Sequence, residues 1–274
     1  MTGTDRDPGS ARPVFLLGSQ RCGTTALSYA LSSAYDRAGG HFTVNGKLPY
    51  LLDRWLTADD LAHRHLRADE ILHALDRRPP DGDGVARWRA QAERALRDAA
   101  RDVAEGSAGA GPEAARALGA RVMARSYEGF DRWGDKYNEY LLHLPGLAGL
   151  VPDARYVMLV RHPEEAARSM LRWTGDRPWR PSTREAALTK WTEWNARWLG
   201  FAPGVPGADR LVIEYHALCR GEETDRLEEF LQLSLAPQLT GLEPRSAAHD
   251  PADADGQALP GRTAAVWAAL TDMT

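Results

Sequence analysis

The run Gly18-Ser19-Gln20-Arg21-Cys22-Gly23-Thr24-Thr25 has the residue types and spacing to hold an anion. Its Gly-x-x-x-x-Gly spacing is that of a phosphate-binding loop. In such a loop backbone N–H groups point inward and the dipole of the following helix favours negative charge. One position departs from the nucleotide-triphosphatase pattern: Thr24 stands where that pattern has Lys before its Ser/Thr. The lysine that reaches the β- and γ-phosphates is missing, and Arg21 is the basic group, earlier in the turn. These residues suit the binding of a phosphate or sulfate ester rather than the splitting of ATP. A second pair, Arg161 and Ser169, lies just past an apolar run. Arginine meets a phosphate through its planar fork, and a serine hydroxyl adds a donor. Two anion sites on one sheet would be satisfied by a nucleoside carrying phosphates at both ends.

Elements must position these residues. Val14 to Leu17 reads as a buried strand, and Leu27, Ala30, Leu31 and Ala34 recur at helical spacing just after the loop. Tyr156 to Val160 and Leu211 to Ile213 are further buried strands. Helices are expected over Tyr137 to Leu150, Thr183 to Leu199 and Glu222 to Leu233, and His41 to Tyr50 as a short strand or loop. Strands that alternate with helices argue a parallel sheet with ligands at the strands' carboxyl ends. The expected fold is α/β, a P-loop-NTPase-like three-layer arrangement with a central parallel sheet flanked by helices. Residues 57–126 differ in character, rich in Ala, Arg and Asp, with Val85, Trp88, Ala92, Ala95, Leu96, Ala99 and Val103 on one helical face. They read as a helical insertion or cap, or equally as helices that pad the sheet. Residues 1–12 are expected to be a disordered tail, 13–274 a single domain, and 243–262 a long loop.

The 274 residues suffice for one large core, and a net charge of -4 gives no electrostatic case for nucleic acid. Two cysteines, Cys22 and Cys219, make no disulfide framework. The polar N-terminus has no signal-peptide core, and no run approaches the roughly 18 apolar residues of a membrane span. A cytoplasmic chain without membrane insertion is expected. His63, His65 and His73 lack the Cys or carboxylate partners of a metal centre, so no metal is expected. Trp191, Trp194 and Trp198 read as core packing rather than an aromatic platform.

Taken together, these tracts resemble the sulfotransferase family that uses 3'-phosphoadenylyl sulfate (PAPS). The loop at Gly18 to Thr25 is similar to the family's 5'-phosphosulfate loop, with Cys22 where Ser is more usual. Val160-Arg161-His162-Pro163 with Ser169 resembles its 3'-phosphate motif, with His162 where Asp or Asn is common. Trp133-Gly134-Asp135-Lys136 resembles the tract before that motif, with Tyr137-Asn138 in place of Thr-Pro. Val212 to Leu218 resembles the Val-x-Tyr-Glu-x-Leu segment. The resemblance implies that Gln20, Arg21, Cys22, Gly23, Thr24 and Thr25 hold the 5'-phosphosulfate. It implies that Arg161 and Ser169 hold the 3'-phosphate, and that Tyr215 lies near the nucleotide. Arg21 and Lys136 would be the catalytic cations, PAP the product, and a small-molecule hydroxyl the acceptor, with a bacterial secondary metabolite favoured. Arg245 or Arg262 could close on the 3'-phosphate.

The general base is the open position. Gly46-Lys47-Leu48-Pro49-Tyr50 resembles a tract in which relatives carry Lys-Glu, but Leu48 stands where Glu would be. His41 is the nearest alternative, with Asp53 and Lys47 behind it. A phenolic or otherwise acidic acceptor would need the base less. Two other classes stay open at this level: a phosphate-loop nucleotide kinase, and a non-catalytic nucleotide-binding module.

Overall fold

A computed structural model describes residues 12–173, 180–240, 242 and 258–274. The expected tail through residue 11, Pro178, Arg245 and most of the expected 243–262 loop lie outside them. In chain order the elements are β1 (Val14–Leu17), α1 (Thr24–Arg37), β2 (His41–Val44), α2 (Leu48–Trp55), α3 (Ala58–Ala62), α4 (Ala68–Asp76), α5 (Val85–Glu105) and α6 (Gly111–Ser126). They continue with β3 (Trp133–Lys136), a 3-10 turn at Asn138–Leu142, α7 (Leu144–Leu150), β4 (Arg155–Val160), α8 (Pro163–Leu171) and α9 (Arg184–Phe201). The last are β5 (Arg210–Glu214), α10 (Tyr215–Cys219), α11 (Thr224–Leu231), α12 (Ala236–Leu239) and α13 (Gly261–Thr271). The described strands form a five-stranded sheet in the order β2-β3-β1-β4-β5. Its P-loop-NTPase-like fold is the one expected.

The described residues divide into two compact units, the first within 1–15, 31–136 and 146–155, the second within 16–30, 137–145 and 156–274. In the first, β2 and β3 pair in parallel from His41↔Trp133 to Val44↔Lys136. The sequence pattern does not mark β3 as a strand, because Gly, Asp and Lys are poor strand formers. Gly134 fits because a Cβ there would stand 2.5 Å from the Phe42 ring. The helices of residues 57–126 are α3 to α6. Helix α5 buries Trp88, Ala92, Ala95, Leu96, Ala99 and Val103, and ends at Gly106, whose φ of 78° closes it in the left-handed region. It packs on α6, and the Arg121–Asp102 and Arg125–Asp98 pairs tie the two together. At α3, Thr57 and Asp60 form a reciprocal capping box.

In the second unit β4 and β5 pair in parallel from Tyr156↔Arg210 to Val160↔Glu214. Their apolar residues are buried, as a strand covered on both faces requires. Trp191, Trp194 and Trp198 are buried along α9 and act as core. Helix α13, beyond the part of the chain with an assigned pattern, packs on α9 through a 2.8 Å hydroxyl bond between Thr192 and Thr263. The single helix expected over 137–150 is instead a 3-10 turn followed by α7. Pro145 is the reason: it has no N–H to donate back, and its ring would clash with the carbonyl four residues earlier.

Candidate functional site

The loop between β1 and α1 lies wholly in the second unit. A turn closes it: the Cys22 N–H donates to Ser19 O at 3.4 Å and the Cys22 thiol to the same oxygen at 2.7 Å. Cys22 is therefore a buried turn-former. Gly18 has no room for a side chain, since a Cβ would meet Cys22 Sγ at 2.6 Å and Leu159 O at 2.8 Å. Arg21 and Gly23 both have positive φ, 69° and 98°. Helix α1 begins just after, at Thr24. Thr24 is buried and Thr25 exposed at that N-terminus. Gln20 is buried, and its side-chain oxygen has no partner among the described residues.

Gly23 lies against Tyr215. A Cβ at position 23 would stand 2.4 Å from Tyr215 Cε2, and the φ of 98° disfavours any side chain there. We expect Gly23→Ala to weaken PAP binding at least about tenfold while the protein still melts cooperatively. Calorimetric titration of the folded variant measures this. Wild-type affinity would show that the loop does not depend on that contact.

The residues expected to bind opposite ends of a nucleotide are joined to each other. Arg21 Nε donates to Ser169 Oγ at 3.0 Å, and Arg161 Nη1 donates to the Arg21 carbonyl at 3.3 Å. Arg21 is half-buried, with its guanidinium 4.8 Å from the ring of Trp173, which is 37% exposed. Arg161 is buried at the end of β4, with its guanidinium 4.5 Å from the Tyr215 ring. Glu165, one turn into α8, accepts from Arg161 Nε at 2.8 Å and pairs with His216 at 2.5 Å. The spacing of Arg161 and Ser169 drew attention to this region. Nothing in the pattern pointed to Glu165 and His216, whose partnership spans 51 positions.

Lys136, Lys47, Leu48 and His41 lie in the first unit. Lys136 is buried at the end of β3, next to the buried Asp135, which accepts from Tyr127 OH at 3.1 Å. Lys47 is also buried, and its ammonium donates to the carbonyls of Ala74 and Leu75, closing the end of α4. That engagement replaces the base role weighed for it. Leu48 is buried in α2.

His41 corrects the expectation of a base in reach of an acceptor. It is 0% exposed, with Phe130, Trp88 and Tyr127 rings 5.1 Å, 6.1 Å and 6.1 Å away. Its Nδ1 bonds the Asp83 carbonyl at 2.8 Å. A carbonyl only accepts, so Nδ1 carries the proton and Nε2 is the lone-pair nitrogen. Burial pushes its pKa down to about 4. His41 is thus a neutral core histidine. Among the described residues no cluster of metal-ligating side chains occurs; His63, His65 and His73 are exposed. Arg262 is exposed at the start of α13.

This chain belongs to the sulfotransferase family, whose pattern matches residues 13–237. Among solved structures it is similar to the sulfotransferase domain from the Synechococcus PCC 7002 olefin synthase, at 20% identity and a TM-score of 0.57, over 99% of this chain and 98% of that one. It is also similar to the sulfotransferase domain from the curacin biosynthetic pathway, at 13% identity and a TM-score of 0.52, over 95% and 98%. At these identities the likeness is one of fold. No curated protein matches the chain. No helix among the described residues is long and apolar enough to cross a membrane.

Proposed function

We propose that this sulfotransferase takes PAPS as donor and passes its sulfuryl group to a hydroxyl of a small molecule, with a secondary metabolite as the favoured acceptor. The observation that carries the reading is the joined cluster in the second unit: a lysine-free phosphate loop whose Arg21 meets Ser169, and whose carbonyl at Arg21 meets Arg161. Two arginines beside a helix N-terminus suit a ligand with two separate anionic groups.

In this reading the acceptor oxygen attacks sulfur, and the bond from sulfur to the bridging oxygen of the 5'-phosphate breaks. The sulfuryl group moves to the acceptor, and the electron pair of the broken bond leaves on PAP. Such a displacement has a loose transition state and depends on positioning and fixed positive charge. Arg21, the backbone N–H groups of residues 20–25 and the hydroxyls of Thr24 and Thr25 hold the 5' end. Arg21 offsets the charge that grows on the leaving phosphate. Arg161 and Ser169 hold the 3'-phosphate, and Tyr215 lines the nucleotide. With His41 buried and Lys47 engaged, the acceptor is read as an acidic hydroxyl, such as a phenol, that releases its proton to solvent water rather than to a strong protein base.

Calorimetric titration with PAP, ADP and ATP tests this, since only PAP carries the 3'-phosphate. We expect PAP to bind at least about tenfold more tightly than ADP. A preference for ATP would sink the reading in favour of a nucleotide kinase. Tight PAP binding without sulfate transfer to any phenol in a broad acceptor panel would leave a nucleotide-binding module.

A further inference from the structure

Arg161 is engaged on three sides within one unit. Its Nε donates to Glu165 Oε2 at 2.8 Å, its Nη1 to the Arg21 carbonyl at 3.3 Å, and its guanidinium lies 4.5 Å from the Tyr215 ring centre. Glu165 follows four residues later on α8, with its side chain only 2% exposed. The same oxygen, Oε2, is 2.5 Å from His216 Nε2, at the start of α10. A carboxylate only accepts, so His216 donates from Nε2. Burying a carboxylate is costly, and beside an anion site its charge also competes with the ligand for the arginine. A group that stabilised the fold alone could be apolar. What Glu165 adds is direction: with Nε held from α8 and Nη1 from the loop, the plane of the guanidinium is set. A long, rotamer-rich side chain that is ordered beforehand gives up less freedom when the ligand arrives.

We propose that Glu165, steadied by His216, is the positioning residue that aims the Arg161 guanidinium at the 3'-phosphate. This rests on the reading of Arg161 as a 3'-phosphate ligand. Reach is the decisive property. Glu165→Gln keeps an oxygen at the same distance from the backbone and loses the charge. Glu165→Asp keeps the charge and draws the oxygen back by one methylene.

The test is the ratio of the dissociation constants of AMP and PAP, two ligands that differ only in the 3'-phosphate, measured by calorimetry on full-length variants. Loss of fold stability alone lowers the melting temperature and leaves this ratio unchanged. We expect Glu165→Asp to lower the ratio about tenfold and Glu165→Gln to keep it within about threefold of wild type. A ratio within about twofold of wild type in the Asp variant, or a Gln variant as damaged as the Asp variant, would overturn the positioning role. Arg161→Ala separates the two levels. If it lowers the ratio while Glu165→Asp does not, only the positioning role falls. If Arg161→Ala leaves the ratio unchanged, the reading of Arg161 itself falls, and this inference with it.

Discussion

Replacing Arg21 by Ala should lower kcat by about 10²–10³, with a much smaller change in the KM for PAPS. The magnitude is that of removing one fixed donor from the position where charge grows in the transition state, roughly 3–4 kcal/mol. The leaving phosphate gains its charge as the sulfur–oxygen bond breaks. A cation placed there in advance therefore acts mainly on the rate. Arg21 has the features such a role needs: it lies in the turn before a helix N-terminus, half-buried, with its guanidinium anchored to Ser169 Oγ at 3.0 Å. Arg21→Lys should recover part of the loss, since it keeps the charge but not the planar fork. Steady-state kinetics with PAPS and a phenolic acceptor measure both variants. A kcat within about tenfold of wild type for Arg21→Ala would remove Arg21 from the reacting centre.

The second large effect concerns stability. His41 has its pKa lowered from 6.5 to about 4, first because burial penalises the imidazolium. Between these values the unfolded chain binds the proton more readily than the folded one, so stability rises with pH across that window. The contribution is complete above about pH 6.5, is lost as pH falls toward 4, and is level below it. A shift from 6.5 to about 4 corresponds to about 3 kcal/mol. His41→Phe keeps an aromatic ring among Phe130, Trp88 and Tyr127 and removes the titration. Urea unfolding of both proteins from pH 7.5 to 4 should show the wild type losing about 3 kcal/mol more than the variant. Parallel curves would mean that His41 takes up its proton as easily folded as unfolded. The same variant bears on the chemistry: turnover close to wild type at neutral pH agrees with a histidine that serves the core.

Where the sequence could be read, a local pattern carried the information. The apolar runs from Val14 to Leu17 and from Tyr156 to Val160 announce buried strands, and the alternation of strands with helices announces the parallel sheet. The stripe from Trp88 to Val103 marks α5 for the same reason, since helical periodicity is a property of one segment. Elements made by their neighbours could not be read. Strand β3 exists because β2 pairs with it and Phe42 fills the space beside Gly134. In the site, loop spacing identified the turn around Arg21, and the run before Arg161 identified a strand end. The aromatic enclosure of His41 is assembled from positions 88, 127 and 130, which no spacing rule connects. The same holds for Glu165 and His216, and for Lys47, whose partners lie at the far end of another helix. His41 and Lys47 invite a chemical role by their type, whereas their role follows from what surrounds them.

The ring of Tyr215 touches two such histories at once. Gly23 rests against it with no space for a methyl group, and Arg161 lies over it at 4.5 Å. Three positions far apart in the chain therefore share one aromatic surface, and their substitutions cannot be independent. A smaller residue at 215 would remove the ring contact at 23, leaving the strain of its positive φ, and would also remove the cation's support at 161. The same change would ease one contact and weaken the other. Such coupling through a single side chain constrains the order in which a descendant of this protein could remodel its nucleotide site.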